Sequence, residues 1–404
     1  MDNDSIYREY GVPVVINAAG TKTRIGGSRI REEALEAMER AGDAFVRLSD
    51  LQARASERIA EVTGAEAGYV TSGAASGLML GTAACIAGDD LGTMARLPHT
   101  AETPEVVMPR THRTEYDHAI RAAGATIVDV GTNDPHLGTG ARETEPWEIE
   151  DAITDATVAV GYIAKSYTKP ALSTVTEIAH DHDVPVIVDA AAELPPVDNF
   201  ERFTAAGADL VAFSGGKAIR GPQTTGILAG RQDLIRSVAA QQLDTHAAEA
   251  VWEPPTELLD PDHLGGVPRQ GIGRPMKVGK EELIGLLAAL DAFIEEDHDA
   301  RTAEWRERSE SIAAALEPLA GVHTEIAAAE KVSVAPEVHV HIDAAVAQTD
   351  ATSLVGALRR EEPRVFVGAD SLPSSFTINP MCLRDEEADY VVERLRAHLG
   401  ENTD

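Results

Sequence analysis

Seven short apolar runs recur across the middle of this 404-residue chain, at 68–71, 105–108, 126–130, 157–163, 184–188, 209–213 and 225–229. Stretches with helical spacing of apolar residues lie between them, among them 76–86, 117–123, 175–181 and 199–206. Strands that are apolar on both faces must be covered on both faces, and interleaved helices supply that cover. The alternation predicts an α/β fold with a mostly parallel central sheet and helices on either side. In such sheets ligands bind beyond the carboxyl ends of the strands.

Two chemically capable residues fall at such ends. Asp189 follows the run 184–188, and Lys217 follows 209–213 across a Ser214-Gly215-Gly216 turn. Lysine is scarce: Lys22, Lys165, Lys169, Lys217, Lys277, Lys280 and Lys331 are the full set. Lys165 and Lys217 both follow buried-strand candidates, but only Lys217 is set off by a small, flexible turn. An amine and a carboxylate at the ends of two parallel strands are what a pyridoxal phosphate site needs. The amine forms a Schiff base with the cofactor aldehyde, and the acid keeps the pyridine nitrogen protonated. For the pair alone, a surface lysine beside a strand-end aspartate is the bland alternative.

Other residues gain meaning beside that pair. Ser72, Gly73 and Ala74 join a strand to a helix, where small residues let backbone N–H groups approach a phosphate; an ordinary serine-capped turn has the same look. His112 is the candidate for a ring lying flat on the cofactor, with a hydrogen-bonded structural histidine as its alternative. Arg274, in a Gly271-Ile272-Gly273-Arg274 segment, is a candidate clamp for a substrate carboxylate or else one half of a salt bridge. Thr21 lies in a polar, glycine-rich stretch of the kind that reaches toward substrate, or simply connects.

Composition narrows the class. Apolar residues make up 43% and aromatics 4%, so the core must be built from Ala, Val, Leu and Ile. No run is long enough to span a membrane, and the acidic start lacks the basic-then-apolar order of an export signal. Cys85 and Cys382 are too few for a disulfide framework and have no metal-ligand spacing, so no metal is expected. A soluble cytoplasmic protein is the expectation. Its organisation reads as an N-terminal arm (1–20), a large cofactor-binding domain (21–255), a proline-rich linker or active-site loop (256–280) and a small α+β domain (281–404).

The blocks TSGAASGLMLGTAACIAG, RTHRTEYDHAIRAAGATIVDVG, VIVDAAAELPP, GADLVAFSGGKAIRGPQTTGILAGR and IGRPMKVGKEE occur in that order. Together they resemble the selenocysteine-synthase-related branch of fold-type I pyridoxal phosphate enzymes, over residues 16–290. Within that branch the likeness is greatest to the D-glucosaminate-6-phosphate ammonia-lyase group. Two departures separate the chain from the synthase, which carries an extra N-terminal tRNA-binding domain: here INAAGTKTR already begins at Ile16, and Ser72-Gly73-Ala74-Ala75 replaces an asparagine-rich turn. The resemblance implies pyridoxal 5′-phosphate as cofactor, with Lys217 as Schiff-base lysine, Asp189 as pyridinium partner and Ser72 to Ala74 as phosphate cradle. It also implies Ser214 as a further phosphate ligand, Gln223 near the cofactor or a subunit contact, and a homodimer or higher homo-oligomer.

The reaction expected is α,β-elimination from an amino acid or 2-amino-2-deoxy sugar acid, giving a 2-oxo acid and ammonia. If the substrate is phosphorylated, Arg24, Arg29 and Arg113 are candidates for a second anion site. A seryl-tRNA selenium transferase is one alternative, disfavoured because no RNA-binding domain is recognisable, so no nucleic-acid partner is expected. An aminotransferase, racemase or aldolase on the same residues is another, and a non-catalytic binding module a third.

The net charge of −32 is spread along helical segments rather than gathered in blocks. Distributed acidity with few lysines suits a high-salt cytoplasm, where carboxylates hold water and ions screen their repulsion. The protein is therefore expected to unfold on dialysis into dilute buffer, followed by circular dichroism. A fold equally stable at low ionic strength would contradict salt adaptation.

Overall fold

The apolar runs pair edge to edge, and their ends converge. The computed structural model describes residues 5–132, 143–269, 271–327 and 335–400, so Lys331 lies outside the described residues. The chain divides into a larger unit, Ile30–Ile294, and a smaller one made of Met1–Arg29 with Glu295–Asp404. Strand β1 (Val15–Ala18) opens the smaller unit. The larger unit then carries β2 (Ala67–Thr71), β3 (Glu105–Pro109), β4 (Thr126–Val130), β5 (Thr157–Ile163), β6 (Val186–Asp189), β7 (Leu210–Ser214) and β8 (Gly226–Gly230). The smaller unit resumes with β9 (Val322–Ala327), β10 (Glu337–Ile342), β11 (Arg364–Val367) and β12 (Ser375–Ile378).

The seven strands of the larger unit form one sheet in the order β2-β8-β7-β6-β5-β3-β4. Every pairing is parallel except the two made by β8, which runs antiparallel to β2 and β7. Its reversal has a simple cause: residues 215–225 are too few for a crossover, which needs about a dozen or more. The mostly parallel α/β fold read from the sequence is thus the fold observed.

Small side chains set the thickness of this layer. The helix Ala74–Ala87 is apolar all round and lies against the sheet. It comes so close that a methyl built on its Gly81 would sit 3.0 Å from Leu210. A separate cluster concentrates four of the seven phenylalanines: Phe200 stacks edge-on against Phe213 (centroids 5.1 Å) and Phe293 (6.1 Å), with Phe203 6.1 Å from Phe213.

Strand β2 lies at the sheet's edge, yet its exposed backbone groups are satisfied. From the helix Leu48–Thr63, Gln52 donates to the Val70 carbonyl (2.9 Å) and accepts from the Val70 N–H (3.1 Å), and Ser56 accepts from the Gly68 N–H (2.9 Å). A helix side-chain ladder thus closes an edge that would otherwise invite another strand. The buried face of that helix mixes these polar groups, with Ser49 and Thr63, among Ala53, Ala55 and Ile59. The helix before it, Glu32–Gly42, closes on a glycine and an aspartate. Phe45 beyond it is fully exposed rather than part of the helix's apolar face.

In the smaller unit β9, β10 and β12 form an antiparallel sheet, and β1 pairs in parallel with β11. Alternate burial along β10 shows one face packed and one open. Among the described residues no helix is long and apolar enough to cross a membrane.

Phe213 is fully buried between Phe200 and Phe203. Truncation to alanine is expected to cost about 3–5 kcal/mol, read as a shift in the denaturant midpoint. A loss below about 1 kcal/mol would show that this cluster does not hold the sheet in place.

Candidate active site

The chemistry gathers where three parallel strands end. Asp189 is the last residue of β6, in register with Ile163 of β5 and Ala212 of β7. Lys217 stands just past β7, in a tight turn tied down by Gly215 N–H to Thr225 O (2.9 Å) and Gly221 N–H to Gly215 O (2.9 Å). The turn needs its glycines: a methyl on Gly215 would lie 2.3 Å from the Thr225 hydroxyl, and one on Gly216 would lie 2.9 Å from the Gln223 Cα. Gln223 is thereby packed beneath the residue preceding the lysine.

Electrostatics couple the acid and the amine. Burial raises the Asp189 carboxyl above its ordinary range, opposed by the Ala191 N–H (3.0 Å) and by Lys217. Burial likewise lowers the Lys217 amine, opposed mainly by Asp189. Each charge thus persists here with the help of the other.

A candidate anion cradle lies beside this pair, on the β8 side. Thr71 of β2, Gly226 of β8 and Ser214 of β7 stand in register across three adjacent strands. The helix Ala74–Ala87 starts at that point, capped by Gly73 at φ 130° with no side-chain cap. A methyl on Gly226 would lie 2.5 Å from the Gly73 carbonyl carbon and 2.6 Å from the Ala74 nitrogen, so glycine there lets the loop close down. Ser72 and Ser76 hydroxyls meet at 2.9 Å across its mouth. Backbone N–H groups of the first turn and two serine hydroxyls suit a phosphate. The set as a whole fits a heteroaromatic aldehyde phosphate: an anion cradle, an amine for the aldehyde, and an acid for a ring nitrogen.

Other expected residues have partners of their own. His112 is buried, its Nε2 3.1 Å from the Lys169 carbonyl, its Nδ1 3.5 Å from the Ile163 amide and its ring edge-on to Tyr162 at 4.8 Å. Burial pushes its pKa down to about 4, so the ring is neutral. Those contacts hold the ring against the end of β5, where Ile163 is in register with Asp189. Arg274 does not join Asp189 and Lys217; it lines a separate groove with Met94, Leu97 and Ile272. That segment is pinned by Gln242, which donates to the Gly273 and Met276 carbonyls (3.1 and 2.8 Å) and accepts from the Tyr69 hydroxyl (2.6 Å). Thr21 belongs to the smaller unit. Of the arginines considered for a second anion, Arg29 pairs with Glu387 (3.0 Å), Arg113 with Asp117 (2.5 Å) and Asp129 (3.1 Å), and Arg24 is exposed.

One pair was missed. Lys165, two residues past β5, forms an ion pair with Glu193 (3.0 Å), and both act on the charges of Asp189 and Lys217. The signal was present: Lys165 follows a buried strand just as Lys217 does.

Comparison with known proteins agrees with this geometry. Residues 118–255 match the aminotransferase class-V family. The chain is 30% identical to D-glucosaminate-6-phosphate ammonia lyase of Salmonella typhimurium, over 97% of each. It is equally 30% identical to 5′-C-glycyluridine monooxygenase-decarboxylase of a Streptomyces species, over 97% of this chain and 92% of that one. L-seryl-tRNA(Sec) selenium transferase of Actinobacillus pleuropneumoniae matches at 29%, over only 46% of this chain and 40% of its own. A solved structure of D-glucosaminate-6-phosphate ammonia-lyase superposes over 100% of both chains with a TM-score of 0.81 at 28% identity. The chain belongs to the family of fold-type I enzymes, dependent on pyridoxal 5′-phosphate, that contains D-glucosaminate-6-phosphate ammonia lyase.

Proposed function

We propose that this protein is an ammonia-lyase that removes the β-hydroxyl and the amino group from a 2-amino-2-deoxy sugar acid of the D-glucosaminate 6-phosphate type. The observation that carries this reading is likeness along the whole chain, in sequence and in fold, to a protein of that name. When bound, pyridoxal phosphate supplies an electron sink that makes the substrate α-proton removable. The remaining work falls to the chain. The amide groups of Gly73 and Ala74, with the Ser72 and Ser214 hydroxyls, hold the phosphate. Asp189 holds a proton on the ring nitrogen. Lys217 provides the amine that anchors the aldehyde and, once displaced by substrate, takes the α-proton as general base. The lowered affinity of its buried amine for protons suits that second task. Gln223, packed under the Gly216 turn, positions Lys217. His112 serves as a neutral wall residue beside Tyr162, and Arg274 and Thr21 remain candidates for substrate contact.

The Streptomyces relative gives a second reading its weight, since its identity is the same and its name describes oxidative decarboxylation. The two outcomes separate cleanly. Elimination releases ammonia without oxygen, whereas a monooxygenase-decarboxylase consumes oxygen and releases carbon dioxide. Selenium transfer has less support, because the likeness to such transferases covers only about half of the chain.

A second copy of the chain is proposed as partner. Leu35, Phe45, Val46 and Leu48 are exposed together around the turn between two helices, and Phe45 has no cover at all. A patch of this kind marks an interface. With the spread of acidic charge, a high-salt cytoplasm is the proposed setting.

Under anaerobic conditions the purified enzyme is expected to release ammonia and a 2-keto-3-deoxy acid from D-glucosaminate 6-phosphate. Oxygen-dependent carbon dioxide release with no ammonia would favour the second reading. Lys217→Ala should abolish the visible absorbance band that borohydride removes from the wild type, and persistence of that band would exclude Lys217 as the anchor. Asp189→Asn should keep the cofactor yet lose most turnover; near-normal rates would remove it from the role of ring acid.

A further inference from the structure

We propose that Lys165, held by Glu193, donates the proton that the departing β-hydroxyl requires. This rests on the elimination reading above and assigns the acid that such a reaction needs.

The topology places Lys165 opposite the anion cradle. Along the sheet the order β2-β8-β7-β6-β5 puts the cradle at the ends of β2, β8 and β7, Asp189 at the end of β6, and Lys165 just past β5. Lys217 follows β7, so the two amines bracket Asp189 from adjacent strands. Adjacent strands lie about 4.8 Å apart, which sets the amines' attachment points roughly 10 Å from each other across the acid. The spacing is fixed by hydrogen bonds: the Ala164 N–H donates to the Asp189 carbonyl at 2.9 Å, and the Ala190 N–H to the Ala212 carbonyl at 2.9 Å.

The pair is built rather than incidental. The Lys165 and Glu193 side chains are 23% and 17% exposed and meet at 3.0 Å. Glu193 is itself fixed, its N–H donating to the Ala190 carbonyl (3.1 Å) and its carbonyl accepting from Asn199 (2.5 Å). A half-buried ion pair contributes little to stability after desolvation, so its place beside the acid–amine pair calls for a chemical use.

Elimination supplies that use. Two protons move: one leaves the α-carbon and one reaches the β-oxygen. Lys217 takes the first. For the second, the Cβ–O bond breaks with its electron pair going to oxygen, a proton passes from the Lys165 ammonium to that oxygen, and water departs. Lys165 is left as a neutral amine and recovers its proton from solvent. Glu193 acts as a positioning residue, keeping the ammonium aimed.

The test compares two leaving groups in two variants. On the hydroxyl substrate, Lys165→Gln is expected to lose about 10²–10⁴-fold in kcat, the usual worth of a general acid. On the same sugar acid carrying chlorine at the β-carbon, which leaves as chloride and needs no proton, the loss should stay below about threefold. Lys165→Arg keeps the charge but holds its proton, so it should be impaired on the hydroxyl substrate like Lys165→Gln. Titration of cofactor-free Lys165→Arg, which keeps the positive charge felt by Asp189 and Lys217, with pyridoxal phosphate should give the wild-type affinity. Equal losses on both leaving groups, rescue by arginine, or weakened cofactor binding by the arginine variant would each overturn the assignment. If wild-type enzyme releases no ammonia from the hydroxyl substrate, the elimination reading fails instead.

Discussion

An aspartate and a lysine are held at neighbouring strand ends, where burial penalises both charges, and the remainder of the larger unit is arranged around that constraint. Burial pushes the Asp189 carboxyl up and the Lys217 amine down, and each group opposes the shift of the other. A pairing of this kind gains little stability and is tolerated where chemistry needs it. In the proposed reading Lys217 would bond to the cofactor aldehyde, and Asp189 would then face a protonated ring nitrogen as its cation.

Small residues make the arrangement possible. The Gly215-Gly216 turn, Gly226 and the alanine-rich helix Ala74–Ala87 let backbone approach backbone at distances where any added methyl would collide. The low aromatic content is therefore no deficit in the core. It is what brings a helix start, three strand ends and the lysine turn within reach of one small molecule. The bulky side chains are confined largely to the Phe200–Phe213 cluster, where they carry packing rather than chemistry.

Much of this was legible in the sequence, for identifiable reasons. Buried parallel strands write themselves as uninterrupted apolar runs, so β4 and β5 match the runs at 126–130 and 157–163, and Asp189 and Lys217 fall at strand ends as expected. The helix Leu48–Thr63 was missed although Leu51, Ala55, Ile59 and Val62 keep helical spacing; what the sequence does not show is that its Gln52 and Ser56 turn inward to satisfy a strand edge. Strand β9 was missed because its Val-His-Thr-Glu-Ile-Ala pattern is half exposed and polar. Among site residues, Arg274 was read from side-chain chemistry alone, which does not give the groove it lines with Met94, Leu97 and Ile272. Lys165 was seen and set aside for lack of a flexible turn. Its partner Glu193 comes from a different loop, a juxtaposition that only the sheet register creates.

The central claim is that the amine of Lys217, rather than that of Lys165 on the other flank of Asp189, bonds to the cofactor aldehyde. Borohydride reduction of the cofactor-loaded protein, followed by proteolysis and mass spectrometry, locates that bond directly. The account predicts a pyridoxyl-phosphate adduct on the peptide carrying Lys217. An adduct on the Lys165 peptide, or none on either, would contradict it.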